Sequence, residues 1–265
     1  MSLPLPIQQI DRDREGLFGP VRSMIAKSGA TTTSKTFDRT GTLIEVESRV
    51  SSPPDRPELG DSIEKLVYTY DPKGNRTGKM LERDGERYPS RLYAYEGAGH
   101  RTAEAAYHMC GSFSSLQLFT HDMKGQVREA LEYRSRSLVR HIYSYDDRGR
   151  IVKDLLSRNG TLQSVTRSTY DQNDRLTEQR LALPDGVLSR TATYQYDERG
   201  NTIGEEVIHA TQSSLNSKEI SQYEYDPIGN WTKRTTRRLI IPVDEGGRPF
   251  SEPTEVVERL IIYYH

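Results

Sequence analysis

One cysteine, one tryptophan and five phenylalanines are spread over 265 residues. Cys110 has no partner, which excludes an internal disulfide and a zinc site of the CxxC kind. Hydrophobic residues of every kind make up only 34% of the chain. Globular domains usually carry about 45–50%, so a thick two-layer core is not expected to account for the whole chain. No run approaches the length of a membrane-spanning helix. The net charge of −1 removes the electrostatic case for nucleic acid or an anionic bilayer as partner. No glycine-rich phosphate loop and no nucleophile elbow are present, and no cofactor is expected. Met1 to Gln9 has neither the basic start nor the apolar stretch of a signal peptide, so residues 1–19 read as a polar leader and 20–265 as one domain.

What the chain does have is tyrosine, sixteen against five phenylalanines. The tyrosines recur in a pattern: Tyr, any residue, Tyr, an acid, two residues, Gly. Clear copies are Tyr68 to Gly74, Tyr143 to Gly149, Tyr194 to Gly200 and Tyr223 to Gly229. Looser copies are Phe37-Asp38 with Gly41, Tyr93 to Glu96 with Gly99, Phe119 to Asp122 with Gly125, and Tyr170-Asp171 with Asp174 in the glycine place. The eight acids, Asp38, Asp71, Glu96, Asp122, Asp146, Asp171, Asp197 and Asp226, follow one another at a mean step of about 27 residues, a period typical of arrays.

Each unit reads as strand, turn, strand. Asp, Pro and Gly favour the first, second and fourth places of a type I turn, which Asp71-Pro72-Lys73-Gly74 and Asp226-Pro227-Ile228-Gly229 fill. A left-handed glycine after such a turn makes a hairpin with a bulge. A second, looser set of turns lies between: Asp84-Gly85, Asn159-Gly160 and Pro184-Asp185-Gly186. Tyrosines two apart share one strand face, so Tyr68, Tyr70, Tyr93, Tyr95, Tyr143, Tyr145, Tyr170, Tyr194, Tyr196, Tyr223 and Tyr225 form two aromatic columns. The residues between the columns (Thr36, Thr69, Ala94, Thr120, Ser144, Thr169, Gln195 and Glu224) point the other way. After the turns the alternation fails, as at Ile151, Val152, Leu155 and Leu156, and no face can be assigned there.

Eight hairpins and end strands give an all-β fold of about 16–18 antiparallel strands. Open sheets of that width curl, so one strongly curled sheet is expected, as a spiral, a partial shell or a barrel-like form.

The pattern Tyr-x-Tyr-Asp-x-x-Gly followed by Asn75, Arg150, Asn201 or Asn230 resembles the YD repeat of the rearrangement-hotspot (RHS) family, over residues from about 35 to 235. The resemblance implies spiralling β shells that enclose toxic segments, or repeats of surface adhesion proteins. It also implies export to the periplasm, surface or medium. No core segment or toxin tail follows the eighth repeat, and no catalytic residue carries over.

The chemistry-bearing residues are few. The turn acids are explained by their turns, and Asp171 to Asp174 lacks the rest of a calcium loop. His100, His108 and His121 sit where neighbouring strands could bring them together as metal ligands, but scattered strand histidines more commonly pack. His121 and Trp231 are the candidate ligand contacts, Trp231 because an exposed indole offers a rigid amphipathic platform. The abundant Lys and Arg interleave with acids and read as ion pairs on a solvated face. The expected function is a non-enzymatic scaffold that binds a protein, glycan or envelope component through its curled sheet. The alternative is an accessory shell, cap or partner of an RHS-type toxin system. The aromatic face would be covered by curling or by a second copy of the chain.

Overall fold

A computed structural model describes residues 11–53, 55–56, 60–83, 85–211, 215–241 and 250–264. Asp84 of the looser turn set and most of the expected leader lie outside these residues. After one helical turn, α1 (Asp11–Arg14), the regular structure is all strand: β1 (Val21–Ser28), β2 (Thr31–Phe37), β3 (Leu43–Val50), β4 (Ser62–Tyr70), β5 (Arg76–Arg83) and β6 (Glu86–Tyr95). There follow β7 (Arg101–Tyr107), β8 (Phe113–His121), β9 (Val127–Arg134), β10 (Ser137–Tyr145), β11 (Ile151–Arg158) and β12 (Thr161–Tyr170). The last are β13 (Leu176–Ala182), β14 (Leu188–Tyr196), β15 (Thr202–His209), β16 (Ser217–Tyr225), β17 (Trp231–Ile240), β18 (Phe250–Ser251) and β19 (Glu255–Tyr263).

The nineteen strands among the described residues belong to one hydrogen-bonded sheet. β1 pairs antiparallel with β2 on one side and with β19 on the other, and β17 also pairs with β19. In its connectivity the sheet is therefore a closed antiparallel barrel, with the two-residue β18 attached to β17. Of the three expected forms it is the barrel-like one. Closure removes the free edges that would otherwise recruit other chains. The chain divides into two compact units. The first gathers the chain up to Ser90 with Tyr223–Thr235 and the stretch from Glu255; the second takes Arg91–Gln222 with Thr236–Thr254.

The repeated turns share one geometry. At Asp146, the Gly149 amide donates to the Asp146 carbonyl at 3.0 Å, and the Asp146 amide donates to the Arg150 carbonyl at 3.0 Å. The carboxylate accepts the amides of Arg148 and Arg150 at 3.0 and 2.9 Å. The same set recurs at Asp38, Asp71, Asp122, Asp171 and Asp197. An aspartate at this place satisfies the amides that the turn would otherwise leave unpaired. The fourth residue is left-handed, which glycine adopts without cost, and Asp174 takes it too, at φ 64°.

A register shift beside each of these turns resolves the broken alternation. Tyr145 faces Ile151 while Ser144 faces Lys153, so Val152 is the extra residue of a bulge. Directly paired residues share a face. Ile151, Asp154 (opposite Tyr143) and Leu156 (opposite His141) thus lie on the tyrosine face, and Lys153 and Leu155 on the other. The tyrosine columns are half-buried, whereas Thr69, Ala94, Thr120, Ser144, Thr169, Gln195 and Glu224 are exposed.

In the first unit the tyrosine face is packed. Leu17, Val21, Met24, Phe37, Leu43 and Val46 form a buried cluster with Leu66, Tyr68, Ile261 and Tyr263 against it. Leu17 and Asp11, both within the leader of the sequence reading, take part in this structure. Asp11 accepts the Leu43 amide and the Tyr70 hydroxyl and pairs with Arg76. In the second unit the fully covered residues are small or polar: Ala130, Val139, Ala192, Glu104, Ser164, Ser217 and Thr236. That is how a chain with so few aliphatic residues fills its interior contacts.

Tyrosine replaces aliphatic packing with a bond as well as a ring. The second-column hydroxyls donate to the backbone of the preceding hairpin: Tyr70 to Leu43, Tyr145 to Val127, Tyr170 to Ile151 and Tyr196 to Leu176. Each acceptor opens the second strand of the earlier hairpin, so every clasp ties one repeat to the next. Tyr196→Phe keeps the ring and removes only the clasp. It is expected to cost about 0.5–1.5 kcal/mol, read as a lower urea midpoint with an unchanged slope. An unaltered midpoint would show that the clasp contributes nothing.

Candidate functional site

The turn rim holds most of the residues the sequence singles out. At two turns the residue after the left-handed fourth place links its own turn to the next. Arg150 donates from Nε to Asp146 Oδ2 at 2.7 Å and from Nη1 to the Asp171 carbonyl at 3.1 Å. Its guanidinium lies 4.8 Å from the centre of the Tyr170 ring. Arg175 repeats the arrangement one unit on, with Asp171 Oδ2 at 2.7 Å, the Asp197 carbonyl at 3.0 Å and the Tyr196 ring at 5.0 Å. His100 and Gln126 lie over the following glycine instead. A Cβ at Gly125 would come within 2.4 Å of the His100 ring, and one at Gly149 within 2.8 Å of Gln126 Nε2. The Arg150 hydrogen bond holds the Asp146 carboxyl below the ordinary carboxylate range. The carboxylate of Asp174 accepts from Arg150 and pairs with Arg148. The rim is thus a lattice of mutually satisfied groups. Among the described residues, no three His, Cys, Asp or Glu side chains are arranged to hold a metal ion.

The structure brings His100 and His121 together and leaves His108 apart. The rings of His100 and His121 stack at 5.1 Å, and His100 Nδ1 lies 2.6 Å from Glu96 Oε1. Burial, then the neighbouring His100, pushes His121 below the ordinary histidine value. His108 is at the far end of β7, roughly 25 Å away along the strand. There it stands in the acid's place of a further turn: the Gly111 amide donates to the His108 carbonyl and the His108 amide to that of Ser112, both at 2.8 Å. The tyrosine pattern misses this copy because histidine replaces the aspartate. Cys110 is exposed on the same turn, its thiol lowered by Ser112 at 3.0 Å. His141 is held by Asp154 at 3.0 Å and stacked on Tyr143 at 5.8 Å. The Asp154 hydrogen bond raises this histidine, and burial pushes the Tyr143 hydroxyl up to about 12.

Trp231 is covered rather than open. Arg259 lies 3.4 Å over its ring and Tyr223 meets it edge-on at 5.8 Å. Burial, with the charge of Arg234 adding, lowers Arg259 to about 10, and the Trp231 face supplies the attraction that keeps a cation there.

The tyrosine face of the second unit holds a cavity of about 300 Å³, lined by Arg190, Glu205, Val207, His209, Leu215, Ser217, Glu219 and Arg238. β14 to β17 supply these residues on one face: Arg190 is opposite His209, Val207 opposite Ser217 and Glu205 opposite Glu219. Arg238 Nε lies 3.4 Å from Glu219 Oε1, and its Nη1 lies 3.6 Å from Glu252. In the sequence Arg190, Glu205, Glu219 and Arg238 read only as members of the interleaved charges of a solvated face. The signal that would have found them is the bulge after each turn, which puts Glu205, Val207 and His209 on the face of Tyr194.

No protein-family model matches this sequence, and no curated protein sequence does. Among solved structures, the chain is similar to a porin-like protein from Bacteroides uniformis at 9% identity and a TM-score of 0.49, over 91% of this chain and 96% of that one. A porin-like protein from Bacteroides vulgatus is similar at 12% identity and a TM-score of 0.39, over 92% and 98%. The TcdB2-TccC3 structure is similar at 12% identity and a TM-score of 0.38 over 83% of this chain, which spans 15% of that one.

Proposed function

We propose that this chain is a non-enzymatic binding scaffold, stiffened along its turn rim, that takes a small polar ligand on the tyrosine face between β14 and β17. The cavity supports this reading most directly. It has the volume of a small ligand site, both signs of charge in its lining and a short apolar wall. The turn lattice supports it from the other side, because the acids and arginines of the motif are engaged in holding the repeats together. The eight copies of the turn also support kinship with YD-repeat proteins, in which repeats serve as scaffold.

The face opposite the tyrosines carries charge in mid-strand, as at Lys65 with Glu45 and Glu82, Arg140 with Glu129, and Arg180 with Glu178. Each such charge against lipid would cost up to about 2–4 kcal/mol, so this face suits water or a protein partner. The test is a binding screen of the purified chain against sugars, amino acids, short peptides and nucleotides, followed by thermal shift and NMR. Saturable binding with the ligand recovered unchanged is the expected result. Turnover of a bound compound would overturn the reading, as would the absence of binding to every class.

A further inference from the structure

We infer that the cavity binds a small zwitterion, an amino acid or short peptide carrying an ammonium and a carboxylate on one molecule. The inference rests on the preceding reading and names its ligand. Glu205 and Glu219 are direct cross-strand partners, which sets their Cβ atoms about 5 Å apart on one face. Like charges in that position repel, and an ammonium between them turns the repulsion into two attractions. The ion pairs of Arg238, the cation beside Glu219, run to Glu219 and Glu252 and none to Glu205. Its buried Nε has no hydrogen-bond partner. Arg190 enters from the other side of the lining, opposite His209 and on the face of Tyr194. A guanidinium there is suited to grip a carboxylate with two parallel bonds.

The rest of the lining argues against the neutral alternative. Among the described residues no Tyr, Trp or Phe lines the cavity, so a sugar ring would lack the large aromatic platform on which such rings stack. A neutral polyol would also add no cation between the facing carboxylates. The short wall of Val207 and Leu215 suits the small apolar surface of an amino acid or dipeptide, and a cavity of about 300 Å³ accommodates either.

Titration calorimetry and NMR on the full chain test this with alanine, lysine and glycylglycine as probes. The comparison probes are N-acetyl-glycylglycine, which lacks the ammonium, glycylglycine amide, which lacks the carboxylate, and maltose. The free zwitterions should bind saturably, and each blocked form at least tenfold more weakly. Glu205→Gln and Arg190→Gln should each weaken zwitterion binding at least tenfold with the thermal midpoint held within a few degrees. Should either variant fail to fold, the blocked probes against the wild-type chain still decide. Equal binding of blocked and free forms, or full affinity in folded Glu205→Gln, overturns the inference. Maltose binding without zwitterion binding overturns it while the scaffold reading stands, and no binding by any class of ligand overturns both.

Discussion

Phe37→Ala is expected to destabilise the chain by about 3–5 kcal/mol, the cost of truncating a large aromatic in a well-packed site. Phe37 has 0% of its surface exposed and lies in the buried cluster of Leu17, Val21, Met24, Leu43 and Val46. It stands at the first of the bulged turns, opposite Leu43, so its ring is held from both strands of one hairpin. Its carbonyl also accepts the Tyr264 hydroxyl at 2.6 Å, which brings the end of the chain onto the same site. The alanine variant therefore loses packing in the buried apolar cluster of the first unit. Urea unfolding should show the loss as a lower midpoint at an unchanged slope. Phe113 is the control, because 57% of it is exposed and its truncation should cost well under half as much. A loss below 1 kcal/mol for Phe37→Ala would mean that this cluster is not what stabilises the unit.

The sequence made the repeat legible because its chemistry is local. Asp71, Pro72 and Gly74 announce a turn within four residues, and Tyr68 and Tyr70 announce a face by their spacing of two. Long-range partners were not legible in the same way. Nothing adjacent to Leu17 marks it as a core residue; it is one because β1, β2 and β3 bring Val21, Phe37 and Leu43 around it. Nothing around Glu205 marks it as facing Glu219 on the tyrosine side, because a bulge of one residue reverses every face that follows it. The same bulge concealed that Asp154 belongs with His141 and Tyr143. An indole such as Trp231 is a ligand platform only when exposed, and nothing adjacent in sequence shows that Arg259 covers it. His108 shows the limit from the other side: the turn survives when the acid is replaced, since its two backbone bonds do not depend on the side chain.

The position after the glycine illustrates how one motif place serves different ends, and Asn230→Ala should reveal the strongest of them. Asn75, in the second repeat, bonds the acid of its own turn, from Nδ2 to Asp71 Oδ2 at 2.9 Å. Asn230 is fully buried and reaches outside its repeat. Its Oδ1 accepts the Phe18 amide at 2.6 Å, and its Nδ2 donates to the Phe18 carbonyl at 2.9 Å and to the Tyr263 hydroxyl at 2.7 Å. Tyr263 in turn donates to Asp226 at 2.5 Å. Alanine would remove the three hydrogen bonds of a fully buried side chain, each worth about 1–3 kcal/mol where a partner is left unsatisfied. Because they share one network the costs do not simply add, and a total of about 3–5 kcal/mol is expected. Asn230→Asp should do no better, since it keeps the acceptor, loses both donors and sets a second charge beside Asp226. Burial raises the Asp226 carboxyl, but the Tyr263 hydroxyl and the amides of Asn230, Gly229 and Ile228 outweigh it and hold it below its ordinary value. A depressed folded-state carboxyl contributes stability that is present above about pH 3.9 and lost as pH falls through the lowered value. Stability measured against pH should therefore fall less steeply in that acid window for Asn230→Ala than for the wild-type chain. An unchanged acid limb together with a small loss at neutral pH would show that Phe18, Tyr263 and Asp226 are held in place without the asparagine.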